Sequence, residues 1–288
     1  MSNLTNELKI KLEKFGIEPK KALGQNFLVS SNVINKIIAA TTKYEAQEII
    51  EIGPGLGALT DHLFNIVKDK KIKSFILLEW DHLFSKYWQD QGQLQFNDSC
   101  QFQVIDGDAL VWKDWDNNNF YNSSQTLLVS NLPYQISSSL VIDRCIDRYP
   151  LMGMVLMFQK EVAQRITAKA KSEHYGLLSV IAQTFWSIEL VVEAGPVDFY
   201  PPPKIASRVL AFKSKKSPIE KPKKFLNFIK GGFSHRRKLL KSNLGAVGLK
   251  SETAEKAFQE LGLNLQSRAE ELTILQWHQL YLKVESDL

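Results

Sequence analysis

The four residues Asn131-Leu132-Pro133-Tyr134 carry the most chemistry per position in this chain. An asparagine amide and the backbone carbonyl that follows it can both accept hydrogen bonds from an –NH2 group. Proline stiffens the turn and contributes no N–H to repel that amine. Tyrosine adds a flat face on which a purine can stack. Together they suit an amino group attached to an aromatic ring. Further on, Asp198-Phe199-Tyr200-Pro201-Pro202-Pro203-Lys204 places an aromatic residue before a rigid proline run. A stiff loop of this kind can hold Phe199 against the opposite face of the same base.

Three earlier segments suit a nucleotide. Glu51-Ile52-Gly53-Pro54-Gly55-Leu56-Gly57 reads as a strand that feeds a glycine turn and opens a helix, with Ala58 where a dinucleotide-binding pattern would end. Gly53 and Gly55 let the backbone approach a ligand, and the helix N-terminus favours a negative group. Glu79, 26 residues after Gly53, ends the next apolar run, where an acid meets ribose hydroxyls. Asp106-Gly107-Asp108-Ala109 ends a third run. One of its two acids can accept from an adenine amine, and the other is a turn former. A dinucleotide, an adenosine or S-adenosylmethionine would each satisfy these three features.

The elements that must position these residues follow from the pattern of apolar runs. Gln47–Ile52, Ser74–Glu79, Phe102–Asp106, Thr126–Ser130 and Met154–Phe158 are short and rich in Ile, Val, Leu and Phe, as buried strands are. Segments such as Gly57–Asp69 between them are long enough for crossover helices, and residues 30–42 carry an apolar helical stripe. The rhythm predicts an α/β fold: a doubly wound, mostly parallel, Rossmann-like sheet. Ser187–Ala194 and Ser207–Lys213 are expected to add a hairpin-like edge. From Lys213 the pattern becomes charged and proline-punctuated, then helical. A division follows, with residues 1–213 as the cofactor domain, including an arm at 1–29, and residues 214–288 as a small all-helical domain.

Charge supports that division. Of 36 Lys and Arg residues, eleven lie between Lys213 and Lys241, together with only one of 31 acids, Glu220. A basic block on a net acidic body suits a polyanion. Phe225, Phe228, Phe233, Leu239, Leu240 and Leu244 read as a continuous buried helical stripe, leaving Arg236, Arg237, Lys238 and Lys241 outside it to meet phosphates. Two cysteines, Cys100 and Cys145, form no CxxC pair, so no structural metal is expected. The N-terminus has no apolar signal core and no run of ~18 apolar residues occurs, so a cytoplasmic protein is expected.

These motifs, with Gly24–Leu28 (GQNFL), Met157–Ile166, Tyr175–Val180 and Phe233–Leu244, resemble the bacterial small-subunit ribosomal RNA adenine dimethyltransferases, from Gly24 to Thr273. The helical tail favours this branch over the Erm antibiotic-resistance enzymes, which act on large-subunit RNA. The resemblance implies a seven-stranded methyltransferase sheet and S-adenosylmethionine as methyl donor, with S-adenosylhomocysteine as product and no metal. It further implies that Asn26 and Leu28 cover the cofactor, Gly53 meets its methionine part, Glu79 its ribose and Asp108 its adenine. Asn131 would lie at the transfer point, with Tyr134 and Phe199 sandwiching the target adenine. The implied substrate is a pair of adjacent adenines in a hairpin near the 3′ end of 16S rRNA, in the immature small subunit, met by a monomer with no membrane association. Alternatives are large-subunit RNA, free DNA, a non-catalytic assembly factor, or a nicotinamide oxidoreductase, which would need neither NLPY nor a basic tail. Two positions depart from the family pattern: Trp80, where an aliphatic residue is common, and Leu177, where arginine is common.

Overall fold

The computed structural model describes residues 3–16, 26–96, 100–117 and 120–288. Gly24 and Gln25 of the GQNFL segment lie outside them. In chain order the elements begin with α1 (Asn3–Phe15), β1 (Phe27–Leu28), α2 (Ser31–Thr41), β2 (Glu48–Ile52), α3 (Thr60–Asp69), β3 (Ser74–Glu79), α4 (His82–Phe96) and β4 (Gln101–Asp106). There follow β5 (Thr126–Asn131), α5 (Ser137–Ile146), β6 (Gly153–Gln159), α6 (Lys160–Thr167), α7 (Leu177–Phe185), β7 (Trp186–Ala194), β8 (Phe199–Tyr200) and β9 (Ser207–Ser214). The chain ends with α8 (Pro222–Gly232), α9 (Leu240–Leu244), α10 (Ser251–Glu260) and α11 (Ile274–Val284).

Seven strands form one sheet in the order β4-β3-β2-β5-β6-β9-β7. The pairs β3–β4, β2–β3, β2–β5 and β5–β6 are parallel, and β6–β9 is antiparallel. The sheet is mostly parallel, as the apolar runs predict, and seven-stranded, as the family resemblance implies. β3 shows why those runs are continuous rather than alternating. All six of its residues are buried. Phe75 and Leu77 join a core cluster with Ile34 of α2, Leu63 of α3 and Trp88 of α4, while Ile76 and Leu78 point to the opposite face and are buried as well. The two late β runs do lie side by side, with β9 against β6 and β7 outermost.

Strand order reverses at β2, with β3 and β4 to one side and β5 and β6 to the other. In open parallel sheets the crevice at such a switch point is where ligands bind, beyond the carboxyl ends of the strands. The glycine turn, Glu79 and Asn131 all stand at those ends.

The chain divides into two compact units. One comprises Met1–Leu140, Arg148–Ala163 and Ile188–Ser214; the other Val141–Asp147, Gln164–Ser187 and Lys215–Leu288. The second unit therefore recruits parts of α5 and α6 and all of α7, which the linear division at 213/214 would leave in the first. Its core is aromatic: Phe225 and Phe228 of α8 meet Tyr281 of α11 with ring centroids 5.1 and 5.5 Å apart, and Phe228 meets Trp277 edge-on at 5.9 Å.

Two helical expectations need correction here. The stripe from Phe225 to Leu244 is not one helix. α8 ends at Gly232, and residues 233–239 form a turn before the short α9. The break has a tertiary cause. Buried Asn243 donates to the carbonyls of Gly232 at 2.7 Å and His235 at 3.0 Å, closing the turn upon itself. Helical periodicity also runs through Ser267–Thr273 (SRAEELT) in the sequence, but α11 starts only at Ile274, because Thr273 caps it and accepts from Gln276 N. No described helix is long and apolar enough to cross a membrane.

Candidate active site

A cavity of about 510 Å³ opens at the carboxyl ends of β2, β3 and β5. That volume lies within the usual range for small-ligand sites. Its walls include Asn26, Leu28, Gly53, Gly55, Glu79 and Asp108, and the whole Asn131–Tyr134 turn. The sequence signals from four strand ends thus converge on one hollow.

The glycine turn is held from several sides. Gly53, Gly55 and Gly57 have φ of +65°, +51° and +92°, a region that L side chains rarely adopt. At Gly57 space is also decisive, since a Cβ would lie 2.8 Å from the Trp88 ring. Trp88 braces the same turn by donating its indole N–H to the Gly55 carbonyl at 2.9 Å. Gly55 N donates to Glu79 Oε2 at 3.0 Å, and Asp81 N donates to Glu79 Oε1 at 2.9 Å. Glu79, only 6% exposed, is therefore a brace as well as a wall. Burial raises its carboxyl above the usual range, and the backbone donors partly offset this.

Of the two acids after β4, Asp108 lines the cavity and Asp106 does not. Asp106 is paired with His82 instead. Asp108 Oδ1 accepts from Leu110 N at 2.8 Å, which fixes the loop while leaving its second oxygen for another donor. Behind this loop stands an aromatic group that sequence reasoning did not single out. Trp115 donates its indole N–H to the Ala109 carbonyl at 2.6 Å, and Tyr121 donates its hydroxyl to the Trp115 carbonyl at 3.0 Å. Trp112 stacks on Tyr121, their planes 19° apart. A dense run of aromatics from Trp112 to Tyr121 was the available signal.

Glu51 also lines the cavity. Its Oε2 is buried with no hydrogen-bond partner. Burial first, with the charges of Asp61 and Glu79 adding to it and the Thr60 side chain opposing, pushes its carboxyl up to about 8. An acid so placed awaits a cationic or donor group.

The Asn131–Tyr134 turn leaves β5 beside the glycine turn: a Cβ on Gly53 would lie 3.5 Å from the Pro133 ring. Tyr134 is half-buried, and its hydroxyl lies 2.9 Å from Ser207 Oγ. Burial raises its phenol pKa, with the Ser207 bond opposing.

Phe199 departs from expectation. It is 3% exposed, belongs to the core cluster and is not part of the cavity wall. The reason is its pairing. β8 runs antiparallel to β1 with Phe199 opposite Leu28 and Tyr200 opposite Phe27, so the phenyl ring turns inward with Leu28. Trp80, by contrast, lines the cavity with 74% of its surface exposed. Leu177 opens α7 and is not among the residues that line the cavity.

In the second unit, Arg236, Arg237 and Lys238 are exposed on the turn between α8 and α9. Lys241 lies on α9 and pairs with Glu255 at 2.8 Å. Among the described residues, no group of three or more His, Cys, Asp or Glu side chains is arranged to hold a metal ion.

The sequence profile of the family described as ribosomal RNA adenine dimethylase matches residues 17–285. The chain belongs to that family. Within it, a relative from Bdellovibrio bacteriovorus named ribosomal RNA small subunit methyltransferase A is 46% identical over 285 residues, covering 98% of each chain. A second of the same name, from Syntrophotalea carbinolica, is 36% identical and covers 91% of this chain and 95% of its own. In fold, the chain is similar to a solved dimethyladenosine transferase from Plasmodium falciparum. The TM-score is 0.69 at 21% identity, over 91% of this chain and 98% of the other.

Proposed function

We propose that this chain transfers methyl groups from S-adenosylmethionine to N6 of two adjacent adenines in a hairpin near the 3′ end of 16S rRNA, giving N6,N6-dimethyladenosine. It does so as a monomer in the cytoplasm, on the immature small subunit. The observation that carries this reading is the wall shared by the glycine turn and the Asn131–Tyr134 turn, which brings residues suited to a nucleoside and residues suited to an amine into one cavity. The names of the relatives favour the small subunit over large-subunit RNA.

The residues present fit the cofactor. Asn26 and Leu28 cover it, and the side-chain-free glycine turn admits it closely. Glu79 meets its ribose and Asp108 its adenine amine. The unpartnered Glu51 Oε2 suits its cationic half. When bound, S-adenosylmethionine supplies an electrophilic methyl carbon, and S-adenosylhomocysteine is what leaves.

The chain's own part is to aim a poor nucleophile. The N6 lone pair of adenine is delocalised into the ring. Hydrogen bonds from the amine to the Asn131 side-chain oxygen and the Leu132 carbonyl localise that pair and orient it. Pro133 offers no competing donor. The proton released from N6 passes to water or to the same acceptors, so no dedicated base is required. Alignment of this kind supplies up to about 7–11 kcal/mol of barrier reduction. Extracting the base from its stack costs a few kcal/mol. Stacking on Tyr134 returns about 1–3 kcal/mol. With Phe199 buried in the core, that contact is assigned to Tyr134, and Phe199 supports the β1–β8 pair.

Residues 214–288 bind rRNA by shape and backbone, with Arg236, Arg237 and Lys238 meeting phosphates. Lys241 is a weaker candidate because Glu255 already neutralises it.

The test is transfer of labelled methyl from S-adenosylmethionine to small subunits lacking the modification, with naked RNA, DNA and large subunits as comparisons. Labelling should be confined to adenines of the small subunit and be lost in Asn131→Ala. Labelling that survives this substitution would overturn the assignment of Asn131.

A further inference from the structure

The cavity has one wall that the nucleoside signals did not anticipate. Leu4, Glu7, Leu8 and Lys11 recur at helical spacing along α1 and line it. The helix is anchored at its far end, where Phe15 meets Phe84 and Tyr87 edge-on at 6.0 and 5.0 Å. Leu8 and Leu12 are buried in the core cluster, and the Lys9 ammonium stands 5.3 Å over the Tyr200 ring.

Lys11 is the only lysine or arginine among the described residues of the wall. Its ammonium donates to the Leu56 carbonyl at 3.0 Å and to Asp61 Oδ2 at 2.8 Å. Leu56 stands between Gly55 and Gly57, so a fixed positive charge sits directly on the glycine turn. An ammonium has three donors, and these contacts engage two. Apart from His62 and the Tyr134 phenol, every other titratable group of the wall is a carboxylic acid: Glu7, Glu51, Asp61, Glu79, Asp81 and Asp108.

That charge distribution sorts the groups of a ligand. Acids suit a sulfonium, an ammonium and sugar hydroxyls. They repel a carboxylate, which must find a cation or N–H donors to enter so acidic a hollow. We propose that Lys11 is the counter-ion of the α-carboxylate on the cofactor's methionyl half. It is a specificity residue that separates nucleosides carrying an amino-acid tail from those without one. The inference rests on the S-adenosylmethionine reading given above. Asp61 has a defined part in it, holding the ammonium at the turn before the ligand arrives.

Calorimetry on the full chain tests this with two probes, S-adenosylhomocysteine and 5′-methylthioadenosine, which lacks the amino-acid tail. Lys11→Gln should weaken S-adenosylhomocysteine about tenfold, as loss of a charge-assisted hydrogen bond does. It should leave 5′-methylthioadenosine within about twofold of wild type, and that retained affinity reports that the variant is folded. Lys11→Arg should recover most of the loss. Equal weakening of both probes would make Lys11 a docking residue for α1 and overturn the proposal, as would no weakening of either. Wild-type protein that binds neither probe would instead sink the cofactor reading on which it rests.

Discussion

The Tyr134 hydroxyl lies 2.9 Å from Ser207 Oγ, tying the turn after β5 to the first residue of β9, 73 positions further along the chain. This bond fixes the ring that faces the cavity, so ring and hydroxyl contribute separately. Tyr134→Ala should lower kcat/KM for the RNA substrate by the value of one stacked contact, about 1–3 kcal/mol. Tyr134→Phe and Ser207→Ala, which keep the ring, should each cost about 1 kcal/mol or less. Steady-state methyl transfer to small subunits measures all three. A Phe variant as impaired as the Ala variant would remove stacking from the account.

Gly57 is the tightest point of the glycine turn. Gly57→Ala combines a φ of +92° with a Cβ 2.8 Å from the Trp88 ring. Overpacking of this sort costs about 1–3 kcal/mol, and the backbone conformation adds about 1 kcal/mol more. Urea denaturation should show that loss, and cofactor affinity should fall with it. Trp88→Phe relieves the clash but loses the donor to the Gly55 carbonyl, so the double variant should recover part of the stability of Gly57→Ala.

Glu51 makes stability depend on pH in a direction opposite to most carboxylates. Its folded pKa is pushed up to about 8 from an ordinary 4.5. The folded state therefore holds the proton more tightly than the unfolded chain. The resulting stabilisation is complete below about pH 4.5 and is lost as pH rises through about 8, at up to about 1.4 kcal/mol per pH unit. Glu51→Gln cannot ionise and should be flatter across that window, gaining on wild type as pH rises. Urea midpoints from about pH 5 to about pH 8 measure the difference. Parallel curves would show that Glu51 ionises freely.

His278 has the reverse sign. Burial, with Lys215 nearby, lowers its pKa to about 4 from 6.5, and its Nε2 lies 2.9 Å from the Thr184 hydroxyl. The stabilisation from a neutral imidazole is present above about pH 6.5 and disappears as pH falls through about 4. His278→Gln should blunt acid unfolding in that window, as read by far-ultraviolet circular dichroism.

The basic turn predicts a salt dependence. Arg236→Ala and Arg237→Ala should each reduce the slope of log affinity against log salt by about 0.7–0.9, the value of one phosphate contact. Lys241→Ala should change it less, because its charge is shared with Glu255. Binding titrations on an rRNA fragment across salt concentrations separate the three.

The strands were legible because parallel strands covered on both faces leave unbroken apolar runs, and the expected limits of each major strand differ from the observed ones by at most one residue at either end. The glycine turn, Glu79 and the Asn131–Tyr134 turn were legible because backbone conformation and strand-end placement demand those residue types locally. What was hidden depends on tertiary partners. The direction of Phe199 is set by Leu28 across a two-residue strand pair. The turn at 233–239 is closed by Asn243 from α9. Trp88 and Lys11 act at points 33 and 45 residues away, to judge from their bonds to Gly55 and Leu56. No local spacing announces such contacts.

The place of β9 between β6 and β7 has a consequence for biosynthesis. β6 is complete at Gln159, yet the strand that covers its edge is not finished until Ser214. β7 is synthesised earlier than β9 but has no other neighbour in the sheet, so it must wait for a later segment to dock. The growing polypeptide thus carries an unpaired strand edge for some fifty residues. A product terminated near Ala194 should be more aggregation-prone than one extended through Ser214.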